Sequence, residues 1–215
     1  ATAMWLPSML LGMVLLKSRS LTLTVQITVV AAIVGMIGFY LVVGDPIAYW
    51  REILLVITEV WRELDLNEQA DLLSTDIDAA ARQMTMVMVL ALWLIGTINC
   101  VLGYLLYRQL PGETADFGRF RDLSMGRVIA INMALASIVA LASGVVWLQN
   151  IAFVLFSVFF LQGLAVVHWL YKNGRMPAYG VIAVYVAMPF LNVAWLMGLA
   201  VFGYIDTWFP LRRAR

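Results

Sequence analysis

Four uncharged polar side chains, Asn99, Gln162, Tyr185 and Asn192, lie inside otherwise apolar stretches of this 215-residue chain. Amides and a phenol donate and accept hydrogen bonds, so their chemistry is recognition rather than proton transfer near neutral pH. A buried amide left unpaired costs about 1–3 kcal/mol. The four therefore either converge on a cavity that takes a small molecule or bond one another across a dry helix interface. Gly96 and Gly103 flank Asn99 at spacings of three and four, which puts all three on one helix face where backbones can approach. Pro189 stands three residues before Asn192 and has no N–H for the carbonyl of Tyr185. Transporters expose mid-membrane acceptors through breaks of this kind.

Other reactive residue types are sparse. His168 is the single histidine and neighbours Trp169, a pair typical of a membrane interface. Without Cys, Asp or Glu beside it, one histidine is a poor metal site, and no metal or other cofactor is expected. Cys100 reads as a small buried hydrophobe. The chain holds no phosphate-binding loop, no HExxH and no Ser/His/Asp set, so no enzyme is expected. Its few basic residues sit at the edges of apolar runs, which leaves no footprint for nucleic acid.

Long apolar runs must position these side chains. Hydrophobic residues make up 63% of the chain and charged residues 13%, against about 45–50% and about 25% in soluble domains. Leu21–Val43 and residues 84–107, 128–148, 151–171 and 179–204 are nearly uncharged. At about 1.5 Å per residue, each run can cross a hydrocarbon core of about 30 Å. Residues 1–16 read as the end of a further span begun upstream. The expected fold is an all-α polytopic membrane protein with about six transmembrane helices in an N-terminally truncated single domain, 1–215.

Charge orients the runs. The connections at 17–20, 108–127 and 172–175 are basic, and the positive-inside rule puts them in the cytoplasm. The gap 45–83 is acidic and falls outside, together with a turn at Gln149–Asn150. Beyond the last run lie Arg212, Arg213 and Arg215. Charge would bring this tail inside, whereas strict alternation leaves it outside. A single kinked crossing with the tail outside is expected, and a broken hairpin returning the tail is the rival.

The insertion 45–83 is itself patterned. Asp45-Pro46 is a helix start, with Asp as cap and Pro at the first position. Ile47, Trp50, Leu54, Ile57, Trp61 and Leu64 then recur at three and four, forming an apolar stripe on an amphipathic extracytoplasmic helix. The helix is acidic where interfacial helices are usually basic. Packing against protein is therefore expected, with Trp50, Leu54, Ile57 and Trp61 as the partner-binding face. Thr75 and Asp78 read as a capping box for the next helix.

Several phrases occur together: Leu-Leu-Lys17-Ser18-Arg19-Ser20, Phe120-Arg121-Asp122-Leu123, Gln162-Gly163-Leu164-Ala165, and Gly203-Tyr-Ile-Asp206-Thr-Trp208-Phe209 followed by Arg212-Arg213. In these the chain resembles the YybS-like family of uncharacterised bacterial inner-membrane proteins. That resemblance implies further N-terminal spans and a loose relation both to substrate-binding subunits of energy-coupling-factor vitamin transporters and to the rod-shape protein MreD. It supplies no catalytic or binding residues.

The sequence thus favours a non-catalytic, multi-pass subunit that acts in assembly or scaffolding of a bacterial inner-membrane complex. Its expected partners are the lipid bilayer and other membrane proteins or a second copy. The alternative is a small-molecule binding or transport subunit, with the ligand held by Asn99, Gln162, Tyr185 and Asn192.

Overall fold

The computed structural model describes residues 2–110, 116–209 and 211–212, and within them the side chains other than those of residues 2–8 and 189–193. The described residues form nine α-helices and no strand. They are α1 (Thr2–Ser18), α2 (Leu21–Val43), α3 (Pro46–Glu63), α4 (Asn67–Thr75), α5 (Ile77–Tyr107), α6 (Gly126–Ser143), α7 (Val146–Ser157), α8 (Phe159–Lys172) and α9 (Ala178–Trp208), with a 3-10 turn at Phe120–Asp122. The all-α expectation holds. The span count does not: among the described residues only four stretches have the length and apolarity to cross a membrane, namely α2, α5, α6 and α7 with α8 as one 27-residue unit.

Local chemistry sets most boundaries. Ser20 caps α2 by accepting the Leu23 N–H at 3.2 Å, and Gly44, at φ +75°, ends it. The left-handed region is open to glycine without steric cost. Asp45 caps α3 as its sequence predicts, with one carboxylate oxygen accepting from the Ile47 and Ala48 N–H groups, both at 3.1 Å. The capping box expected before α5 is absent. Thr75 instead turns its hydroxyl back to the Asp71 carbonyl at 2.8 Å, closing α4, and Asp76 makes no side-chain cap.

The turn expected at Gln149–Asn150 lies earlier. Gly144 adopts φ +66° and caps α6, and a left-handed glycine is a strong helix terminator. Asn150 is instead buried in the second turn of α7. Its amide donates to the Tyr40 hydroxyl at 2.7 Å and to the Arg82 carbonyl at 3.1 Å, which ties α7 to α2 and α5.

α5 has 31 residues and is about 46 Å long. Its first turns carry α3. The Trp50 indole N–H donates to Thr85 Oγ1 at 2.9 Å, and Arg51 pairs with Asp78 at 3.1 Å. Leu54 and Thr58 are buried in this contact layer, while Ile57 and Trp61 are half-buried and Leu64 is exposed.

The three basic connections share one end of the bundle. The Leu21 N–H reaches the Phe117 carbonyl at 2.7 Å, and the Tyr104 hydroxyl accepts from the Phe117 N–H at 2.7 Å and donates to the Gly118 carbonyl at 3.0 Å. Near the 172–175 turn, the ring of His168 stands edge-on to Phe120 with centroids 5.5 Å apart.

α9 is helical from Ala178 to Trp208 but is not straight. The Trp195 indole N–H donates to the Val184 carbonyl at 3.0 Å, although eleven residues of straight helix would separate the two by about 16 Å. Tyr185 lies against His168, beside Phe120, and Arg212 bonds to the Arg121 carbonyl at 3.0 Å. Both ends of α9 therefore meet the same basic loop. The expected single kinked crossing gives way to its rival, a helix that doubles back between Val184 and Trp195. The tail sits at the end of the bundle that carries the basic connections. Pro189, the residue type that deletes a helix hydrogen bond, falls within the bend.

α8 and α9 touch backbone to backbone. A Cβ at Gly163 would collide with the Leu199 carbonyl, and one at Gly203 with the Phe159 carbonyl. Only glycine at both positions permits this approach.

Candidate functional site

The densest polar cluster joins the elements at the basic end. Gln162, on α8, is fully buried. Its Oε1 accepts from the Met125 N–H at 2.7 Å, and its Nε2 donates to Asp206 Oδ2 at 2.8 Å and to Thr207 Oγ1 at 3.1 Å. Asp206, 4% exposed, also receives the Arg212 Nε and Nη2 at 3.0 and 2.7 Å and, on Oδ1, the Leu211 N–H at 3.2 Å. Nearby, Gln26 Nε2 donates to the carbonyls of Ser124 and Met125 at 2.9 and 3.2 Å. Gln162 is thus level with the start of α6 and the second turn of α2, near the basic end rather than at mid-span.

Each group in this cluster is spent on another. The carboxylate is neutralised by the guanidinium, and the amide bonds on both its oxygen and its nitrogen. The arrangement can hold α6, α8, α9 and the tail together, and it leaves no nucleophile or proton acceptor facing a cavity.

The four polar residues singled out from sequence do not meet as a set. Asn99 lies on the exposed face of α5 and bonds to none of the described residues. Tyr185 is 45% exposed, with its hydroxyl 3.4 Å from His168 Nε2. Gln162 bonds to neither of them. The side chain of Asn192 lies outside the described residues. Of the residues expected to face a partner, Leu54 is buried, and Trp50 is half-buried with its indole N–H bonded to Thr85 of α5.

Asp206 and Arg212 escaped sequence reasoning because the apolar run ends before Asp206, which made the pair look like a solvated tail. Their spacing was the available signal: an acid at the end of a span and a base one and a half turns on can pair once the chain folds back.

Two apolar grooves flank α5. One, of about 580 Å³, lies between α1, α2, α3 and α5. The other, of about 290 Å³, lies between α5, α7, α8 and α9. Trp93 walls both. It donates its indole N–H to Thr28 Oγ1 at 2.9 Å, and Thr28 in turn donates to the Val25 carbonyl at 2.7 Å. Neither groove is lined by Asn99, Gln162 or Tyr185. Both were invisible in the sequence because their walls are ordinary span residues.

The family model described as a predicted membrane protein (DUF2232) matches residues 2–207, and the chain belongs to that family. No curated protein and no solved structure matches.

Proposed function

We propose that this multi-pass membrane protein is a non-catalytic subunit that acts in assembly or scaffolding of a bacterial inner-membrane complex. Asn99 carries the reading. An exposed amide on a spanning helix faces hydrocarbon, where polar groups are costly and usually mark a contact or a pathway. It stands one turn before Gly103 on α5, where an added Cβ would meet nothing within 4 Å. Small residues around an interhelical hydrogen-bonding amide are the usual make-up of a lateral helix contact. The buried polar network supports the same reading, since its groups bind other parts of the chain. Placement in the inner membrane rests on the finer resemblance to the YybS-like proteins and on the basic connections, which the positive-inside rule assigns to the cytoplasm.

A photoreactive amino acid at Asn99 tests this in native membrane. Crosslinks to a protein of defined mass are expected there and not from Leu141, on the exposed face of α6. Asn99→Leu should remove the larger species from native gels without lowering thermal stability. Exclusive labelling of lipid from position 99 would overturn the assembly reading.

A further inference from the structure

We infer that the larger groove holds one acyl chain of a bilayer phospholipid, drawn from the leaflet nearest α3. Its volume of about 580 Å³ falls in the range of about 300–1,000 Å³ typical of ligand sites. Its shape points to a chain rather than a compact molecule. Along α2 it runs from Thr28 to Phe39 and along α5 from Thr85 to Gly96, eleven residues in each case, or about 16 Å. That is about half of a hydrocarbon core of about 30 Å, the reach of one leaflet.

The lining matches hydrocarbon electrostatically. No charged residue lines the groove. Its two indole N–H groups are already committed, Trp50 to Thr85 at the α3 end and Trp93 to Thr28 at the deep end. A polar ligand would find neither donor free and would lose its own hydration. The groove opens sideways, because Met88 and Leu92 on its rim are also exposed on the outer face of α5. A lipid tail can enter from the bilayer without crossing water. At the α3 end Phe39, Tyr49 and Trp50 form an aromatic cluster with centroids 5.2–5.9 Å apart. Such rings favour the depth where chain meets headgroup.

The test uses the full chain in vesicles of phosphatidylcholine bearing a diazirine at a chosen acyl carbon, with the labelled peptides read by mass spectrometry. As the diazirine moves down the chain, labelling should walk from Phe39 and Trp50 toward Leu11 and Gly96. Gly35→Leu with Gly96→Leu should fill the groove and cut that labelling by about tenfold. A Cβ at Gly35 meets nothing within 4 Å, and one at Gly96 meets only Leu11 Cδ1, at 3.7 Å. Gly198→Leu, on α9 and outside the groove, should leave labelling unchanged. The walk along the wild-type chain needs no variant, so misfolding of the double variant cannot rescue the idea. Labelling that does not move with depth, that survives filling of the groove in a variant of wild-type thermal stability, or that is replaced by crosslinks to a second copy of the chain overturns the proposal.

Discussion

Asp206→Ala should be among the most damaging single substitutions in the chain. The carboxylate accepts from the Gln162 amide, from two nitrogens of Arg212 and from the Leu211 N–H. Without it, a guanidinium whose side chain is only 15% exposed stays behind with the Arg121 carbonyl as its remaining acceptor among the described residues. Removing one member of a buried ion pair costs about 3–5 kcal/mol, most of it the penalty of the orphaned charge. Arg212→Ala should cost a similar amount by stranding the anion. The double variant leaves no orphaned charge, so its cost should fall short of the sum by about 2–3 kcal/mol, at the upper end of measured pair couplings. Asp206→Asn should fall between wild type and Asp206→Ala, since it keeps acceptor capacity without charge. Denaturant unfolding of the four proteins in mixed micelles measures the cycle. If the two single costs add to within about 0.5 kcal/mol in the double variant, the pair is not coupled and the tail is not held as described.

Gly163→Ala should destabilise by about 1–3 kcal/mol, because its methyl group must displace the Leu199 backbone, and the same unfolding assay reads it. Trp50→Phe should cost about 0.5–1.5 kcal/mol and speed amide hydrogen exchange in α3; Thr85→Val should add little on top of it, and additive effects would argue against their bond. In a Cys100→Ala background, cysteines replacing Asp116 and Arg175 should label from the same side of the membrane, with one replacing Glu68 on the opposite side, when probed with an impermeant thiol reagent. A C-terminal reporter should share the side of Asp116, and a tail on the side of Glu68 would refute the doubled-back α9.

Elements dominated by local chemistry were readable from sequence. Asp45-Pro46 started α3 as expected because cap and ring act within one turn, and α2 followed from its apolar run alone. Boundaries decided by competition were not. Nothing local told whether Gly144 or Gln149–Asn150 would turn the chain, and the left-handed glycine won while Asn150 found Tyr40 and Arg82 across the bundle. The path of α9 depended on contacts across eleven residues, Trp195 to Val184, which periodicity does not register. Gln162 was recognised as a polar residue needing a partner. Its partners, Met125, Asp206 and Thr207, come from segments 37–45 residues away, and only the fold brings them together. Asn99 went the other way: the sequence marked it as a polar residue needing a partner, and the fold turns it to the exposed face of α5.

The length of α5 has a mechanical consequence. It exceeds a hydrocarbon core of about 30 Å by about 16 Å, and α3 is fastened to the overhang through Trp50–Thr85 and Arg51–Asp78. The helix is therefore a lever whose fulcrum lies in the bilayer and whose load is the α3–α4 cap. A tilt of about 10° over its 46 Å length swings the far end by about 8 Å relative to the other. The same rod is a wall of both grooves, so the cap and the space beside Trp93 are built on one continuous element.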